Sequence, residues 1–242
     1  MKKTIAVFAA FAMLMAASGC AQNKSDAASS ENSSALAKTT AVSEQFQGKQ
    51  VADSYQSVDY AYSPTFDNIS DHTDFAVKAV VKGIDYLTVG SDKNGKEPWT
   101  VIHVDVKESL KGEISNGELD IYTYGGYISE YESLGEASMR AHGNYASEEE
   151  FLKAKKQKQN SIIHYVFNGS ELPEISREYV FCLTKRNKDF MPKGTYELLF
   201  GAYGTLEVQA DGTLSVENYE SADNSGKGNL TYTIDDVKNK LK

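Results

Sequence analysis

The sequence predicts a mainly β protein: a small, closed or nearly closed antiparallel barrel with a helical insertion and a short C-terminal helix. Three observations lead there. Short stretches of two-residue alternation recur early and late in the chain, and turn signals such as Asn94-Gly95 and Asp211-Gly212 punctuate them. Strands do not alternate regularly with long helices, as a parallel α/β sheet would require.

The first strand is expected over residues 75–81, with Phe75, Val77, Ala79 and Val81 on one face and Lys78 and Lys82 on the other. Gly83 bends the chain, and residues 84–89 continue it up to the hairpin signal Asn94-Gly95. A second strand follows over 99–107, where Thr100, Ile102, Val104 and Val106 share one face. Trp99, Val101, His103, Asp105 and Lys107 share its other face. Residues 118–124 supply the third strand, ending at Gly125-Gly126.

Helical character then intervenes. Ser147 with Glu150 makes a capping-box pattern, and Glu148, Glu149 and Glu150 suit the positive end of a helix over about 148–158. Its lysines at 153, 155, 156 and 158 lie towards the other end, giving a mostly solvated helix. Residues 162–167 return to a strand-like composition. Four strands are expected after that, at 178–185, 195–200, 205–209 and 213–216. At the C-terminus Thr233 caps a helix whose stripe of Ile234, Val237 and Leu241 docks it onto the barrel.

The N-terminus carries an address. Lys2 and Lys3 precede thirteen uncharged residues from Ile5 to Ala17, too short for a permanent span of about 20 residues. Small residues follow, and then Cys20. Ala17-Ser18-Gly19-Cys20 resembles the lipobox of bacterial lipoproteins, with Ala17 where Leu is usual. The resemblance implies a signal peptide over 1–19, a diacylglycerol on Cys20, and a secreted chain anchored by lipid to the outer face of the cell membrane. Two acyl chains anchor durably where one is marginal, because each buried CH₂ contributes about 0.8 kcal/mol. Residues 20–50, rich in Ser, Ala, Asn and Thr, read as a flexible tether. Residues 51–242 then form a single β-rich domain, with the insertion at about 127–168.

Composition limits the partners. The formal charge of −9 becomes more negative once the two leader lysines are removed, which argues against nucleic acid. Besides Cys20 only Cys182 remains, so no disulfide and no thiolate metal cluster is expected. Cys182 lies within Tyr179-Val180-Phe181-Cys182-Leu183 and reads as a buried, inert thiol. Fifteen tyrosines against one tryptophan suit surfaces that are half apolar and half wet.

The resemblance extends to the body of the chain. Phe75-Ala76-Val77-Lys78-Ala79-Val80-Val81-Lys82-Gly83, Val104-Asp105-Val106-Lys107-Glu108-Ser109-Leu110-Lys111-Gly112, Ile121-Tyr122-Thr123-Tyr124-Gly125-Gly126 and Glu178-Tyr179-Val180-Phe181-Cys182-Leu183 are its marks. Their layout resembles the OB-type barrel of tissue-metalloproteinase-inhibitor-like and netrin-like modules, which implies an OB-like fold. Protease inhibition is not implied. In that family a disulfide-bonded N-terminal cysteine meets the protease zinc, whereas Cys20 here is the expected lipid site.

No catalytic signature, metal motif or cofactor-binding pattern is present, so no catalytic residues, metal or cofactor are expected. Two local features are candidates for binding. Tyr122 and Tyr124 share one strand face, with Gly125, Gly126 and Tyr127 at a flexible corner; Ile121 and Thr123 face the core. The segment 127–168 forms a lid over the barrel mouth or packs against it, and it brings Arg140, His142 and Tyr145, groups suited to a polar or anionic ligand. The expected role is a non-catalytic ligand-binding or accessory module. The alternatives are an envelope protein-interaction or structural module, or a hydrolase whose site is assembled in space.

Overall fold

A computed structural model describes Phe46 and residues 48–56, 66–167, 172–185, 188, 191–192, 195–216 and 230–242. The lipobox-like residues and nearly all of the expected tether lie outside these described residues. The elements in chain order are β1 (Gln50–Gln56), α1 (Phe66–His72), β2 (Phe75–Ser91), β3 (Gly95–Lys111), β4 (Gly117–Tyr124) and β5 (Gly126–Ser129). They continue with α2 (Glu130–His142), α3 (Glu148–Asn160), β6 (Ser161–Phe167), β7 (Glu178–Thr184) and β8 (Tyr196–Leu198). A 3-10 turn at Gly201–Gly204 leads to β9 (Thr205–Val208), β10 (Thr213–Val216), β11 (Leu230–Thr233) and α4 (Ile234–Leu241).

Five of these strands close a barrel in the order β7-β2-β3-β4-β8, with β8 returning to β7. β2 runs antiparallel to β3 and β7, and β3 antiparallel to β4. Closure comes from β8, parallel to β4 through Ile121 and Tyr196 and antiparallel to β7 through Leu183 and Leu198. The protein is therefore a mainly β fold built on a small OB-like barrel, with its helical insertion between β4 and β7. Register irregularities at Ala76/Val77, Lys78/Ala79 and Val81/Gly83 let one continuous 17-residue β2 curl around the barrel, so Gly83 bends the strand without ending it.

Strand alternation makes two cores. Val77, Ala79, Val81, Ile102, Val104, Val106, Ile121, Phe181, Leu183 and Leu198 pack inside the barrel. The opposite face of β2 and β7, with Ala76, Val180 and Cys182, is covered by Ile69 of α1, by Leu206 and Leu214 of β9 and β10, and by Val237 and Leu241 of α4. The outward-facing positions of these strands are thus apolar because a second layer seals them. In α4, Thr233 and Asp236 form a full capping box, and the stripe expected from sequence is the face that docks.

Three elements depart from expectation. The region 127–142 forms β5 and α2, two elements that the sequence pattern does not reveal. Gly135, with φ 73° and ψ 158°, breaks the 3.6-residue pattern of α2 and hides it in the sequence. Residues 50–56 form β1 although they have no continuous apolar face. They pair in parallel with β6, which pairs with β5, giving a separate three-stranded sheet. Phe46, inside the expected tether, stacks on Tyr127 at 5.0 Å. Among the described residues, no helix is long and apolar enough to cross a membrane.

Candidate functional site

The small sheet brings distant residues into one row. Asp53 of β1 stands opposite His164 of β6, and His164 stands opposite Tyr127 of β5. His164 Nδ1 lies 3.1 Å from Asp53 Oδ1. The Tyr127 ring lies flat on the imidazole, with centroids 4.1 Å apart and planes 7° apart. Tyr86, near the far end of β2, meets Tyr127 edge-on at 4.8 Å, which ties the small sheet to the barrel.

Gly125 and Gly126 turn the chain from one sheet into the other, with φ of 109° and 117°. The Gly125 amide donates to the Pro98 carbonyl, and Thr100 Oγ1 donates to the Gly125 carbonyl at 2.9 Å. A side chain at Gly126 would meet the Tyr86 ring at 2.7 Å and Thr100 Oγ1 at 2.8 Å. The corner therefore needs glycine both for its φ and for its space.

Between this corner and the barrel mouth lies a cleft of about 460 Å³. Asp53, His164 and the rings of Tyr55, Tyr86, Tyr124, Tyr127 and Tyr165 form its polar and aromatic wall. Thr100, Thr123 and Thr205 contribute hydroxyl-bearing side chains, and Val166, Leu172, Pro173 and Leu198 contribute apolar surface. The Thr205 hydroxyl oxygen is buried with no hydrogen-bond partner among the described residues. Burial first, and then the neighbouring Tyr127, pushes the Tyr86 hydroxyl well above the ordinary tyrosine range, so it keeps its proton and can donate. Tyr127 and Tyr124 shift the same way, through burial first and then through Asp53 and Glu97 respectively.

Of the residues singled out from sequence, Tyr124, Gly125, Gly126 and Tyr127 line the cleft. Tyr124 is 37% exposed, with its ring edge-on to Trp99 at 5.4 Å. Tyr127 is held between Phe46 and His164 and so serves as a wall. Tyr122 lies elsewhere, buried with Trp99, Val101 and Met191 on the outside of the barrel. Ile121 faces the barrel core as expected, whereas Thr123 lines the cleft.

Arg140, His142 and Tyr145 also lie outside the cleft. Arg140 donates to Glu136 at 3.0 Å, makes a two-pronged pair with Glu148, and lies 3.7 Å over the Phe151 ring. Tyr145 packs edge-on to Phe151 at 5.4 Å. His142 ends α2 and is exposed. Arg140 and Tyr145 tie this end of α2 to α3, and Lys155–Glu136 and Lys158–Glu130 do the same, so the lysines of α3 are partly turned to its neighbour. It is β5 and β6, the strands flanking the two helices, that wall the cleft.

Sequence reasoning passed over Asp53, Tyr86, His164 and Tyr165. Asp53 and His164 join Tyr127 in one row only once β1, β5 and β6 are in register, and Tyr86 reaches that row from β2 through Tyr127. Among the described residues, no three His, Cys, Asp or Glu side chains are grouped to hold a metal ion. The chain matches no family model, no curated protein and no solved structure, so the OB-like assignment stands on strand order and register.

Proposed function

We propose that this chain is a lipid-anchored extracytoplasmic module that binds a small, partly apolar ligand in the cleft beside Tyr124–Tyr127. One observation carries the binding reading: a 460 Å³ recess, the size of ordinary small-molecule sites, walled by tyrosine rings and hydroxyls. Tyrosine offers large contact area and one hydroxyl for little lost rotamer freedom, which suits such a ligand. Positive φ at Gly125 and Gly126 keeps the corner free of side-chain bulk. Anchoring rests on Ala17-Ser18-Gly19-Cys20, and on no helix among the described residues competing as a membrane span.

A second reading, a module for protein partners, is favoured by β1. It forms an edge of its sheet and exposes Val51 (45%) and Tyr55 (72%).

The test uses the single tryptophan. Trp99 lies against Tyr124, so a ligand entering the cleft should change its fluorescence. A small-molecule panel titrated into the full chain should yield a saturable change that Tyr124→Ser removes. Partner capture that Val51→Lys with Tyr55→Lys abolishes, without any small-molecule response, would favour the protein-partner reading. Anchoring is checked separately: Cys20→Ala should move the protein from the detergent phase to the aqueous phase, and mass spectrometry should find the diacylglycerol on Cys20. A native N-terminus at another, unmodified residue would overturn it.

A further inference from the structure

The cleft also has a sign. Among the described residues that line it there is no lysine or arginine, whereas Asp53 contributes a half-exposed carboxylate. His164 directs its Nδ1 at that carboxylate, 3.1 Å from Asp53 Oδ1. Among the described residues, the second Asp53 oxygen meets the Tyr55 hydroxyl at 3.5 Å, the long limit of a hydrogen bond. The rings of Tyr55, Tyr86, Tyr124 and Tyr165 line the same cleft, and the faces of such rings carry partial negative charge. The whole chain adds a formal charge of −9, which raises the local concentration of cations and repels anions.

We propose that the cleft takes a ligand bearing an ammonium or quaternary ammonium group, seated against the tyrosine rings and facing the Asp53 carboxylate. This rests on the ligand-binding reading above and adds the ligand's chemical class. A phosphate or carboxylate ligand would meet a carboxylate and π faces, with no lysine or arginine among the described lining residues to pair with it. A cation meets both favourably, and the part-buried position of the site strengthens the attraction relative to open water. The cleft exceeds the size of a trimethylammonium head, so the head occupies one end. The apolar stretch of Val166, Leu172, Pro173 and Leu198 remains for the rest of the ligand, and the buried Thr205 hydroxyl offers a hydrogen bond along it.

The full chain is titrated with choline and with 3,3-dimethylbutan-1-ol, the same shape without the charge, with Trp99 fluorescence and calorimetry as readouts. A neutral disaccharide is the third arm. Choline should bind at least about tenfold tighter than its neutral isostere, the scale of a partly desolvated cation–π and ion-pair contact. Asp53→Asn should remove most of that difference while leaving the melting temperature within a degree or two, because the carboxylate is half exposed. Equal binding of the isostere, or tighter binding of the disaccharide, overturns the cationic class and leaves the ligand-binding reading standing. No saturable response to any of the three overturns the cationic class. If the wider panel also gives none, the cleft is not a ligand site.

Discussion

Tyr124 and Tyr127 are three residues apart and have the same side chain, yet they sit in different physical situations. Tyr127 is stacked between Phe46 and His164 with Tyr86 at its edge, so its ring contributes packing on several sides. Tyr124 meets Trp99 edge-on and keeps 37% of its surface exposed. Tyr127→Ser should therefore cost about 2 kcal/mol or more in chemical denaturation, by loss of buried ring and creation of a void. Tyr124→Ser should cost less than about 1.5 kcal/mol, the scale of one aromatic pair, while weakening cleft binding. Equal destabilisation by the two would mean that Tyr124 is also a packing residue. The sequence shows both rings at the corner but not which is enclosed, because Phe46, Tyr86 and His164 come from elements far apart in the chain.

At the scale of elements, the joint between α2 and the β2–β3 hairpin is held by backbone bonds, ion pairs and a close approach at Gly135. The Gly135 break frees the amides of Glu136 and Ala137, which donate to the carbonyls of Asp92 and Lys93 at 2.8 and 2.9 Å. Lys96 adds ion pairs to Asp92 at 2.8 Å and Glu132 at 3.1 Å. A Cβ at Gly135 would lie 2.2 Å from the Gly95 nitrogen, at a φ that L-residues rarely adopt. Gly135→Ala should thus destabilise by about 2–4 kcal/mol and raise hydrogen exchange at the hairpin tip first. Exchange rising instead in α4 would show that the joint is not where the strain falls. An opening signal for α2 is present in the sequence: Ser129 caps it, its Oγ accepting from the Glu132 amide. The glycine that ends its first segment masks the period that would have revealed the rest.

Over the whole molecule, burial sets the pH range in which the fold is stable. The Cys182 thiol is fully buried in the outer core and is pushed up to about 11, chiefly by loss of solvation. Tyr86 is raised for the same reason and by Tyr127. For both, the folded state holds its proton more tightly than the unfolded chain. Their contribution is complete below the unfolded thiol value of about 9 and is lost as pH rises through the folded values. On the acid side the sign is reversed. Burial raises Glu132, but hydrogen bonds from Ser129 and Lys96 outweigh it and hold the carboxyl below its usual range. That contribution is present above the ordinary glutamate range and is lost as pH falls through the depressed value. Urea midpoints measured from pH 3 to 11 should form a plateau that falls off at both ends. Cys182→Ala should soften the alkaline limb, and Cys182 in native protein at pH 8 should resist alkylation until the chain unfolds. Rapid native labelling would show that the outer core opens locally.

The barrel itself was legible in the sequence. Each wall strand carries its own two-residue alternation, as in Val77, Ala79 and Val81 or Ile102, Val104 and Val106, and such a pattern is local enough to read without a partner. The capped C-terminal helix was legible for the same reason, since Thr233, Asp236 and the Val237–Leu241 stripe lie within one short segment. The second sheet was decided only in three dimensions. β1, Gln50-Val51-Ala52-Asp53-Ser54-Tyr55-Gln56, has no regular alternation and no continuous apolar face, and its pairing partner β6 lies more than a hundred residues away in the chain. The candidate site inherits that dependence. Gly125 and Gly126 mark the corner in one dimension, but Asp53 and His164 meet only through the β1–β6 register, and Tyr86 of the barrel sheet joins them only through its contact with Tyr127.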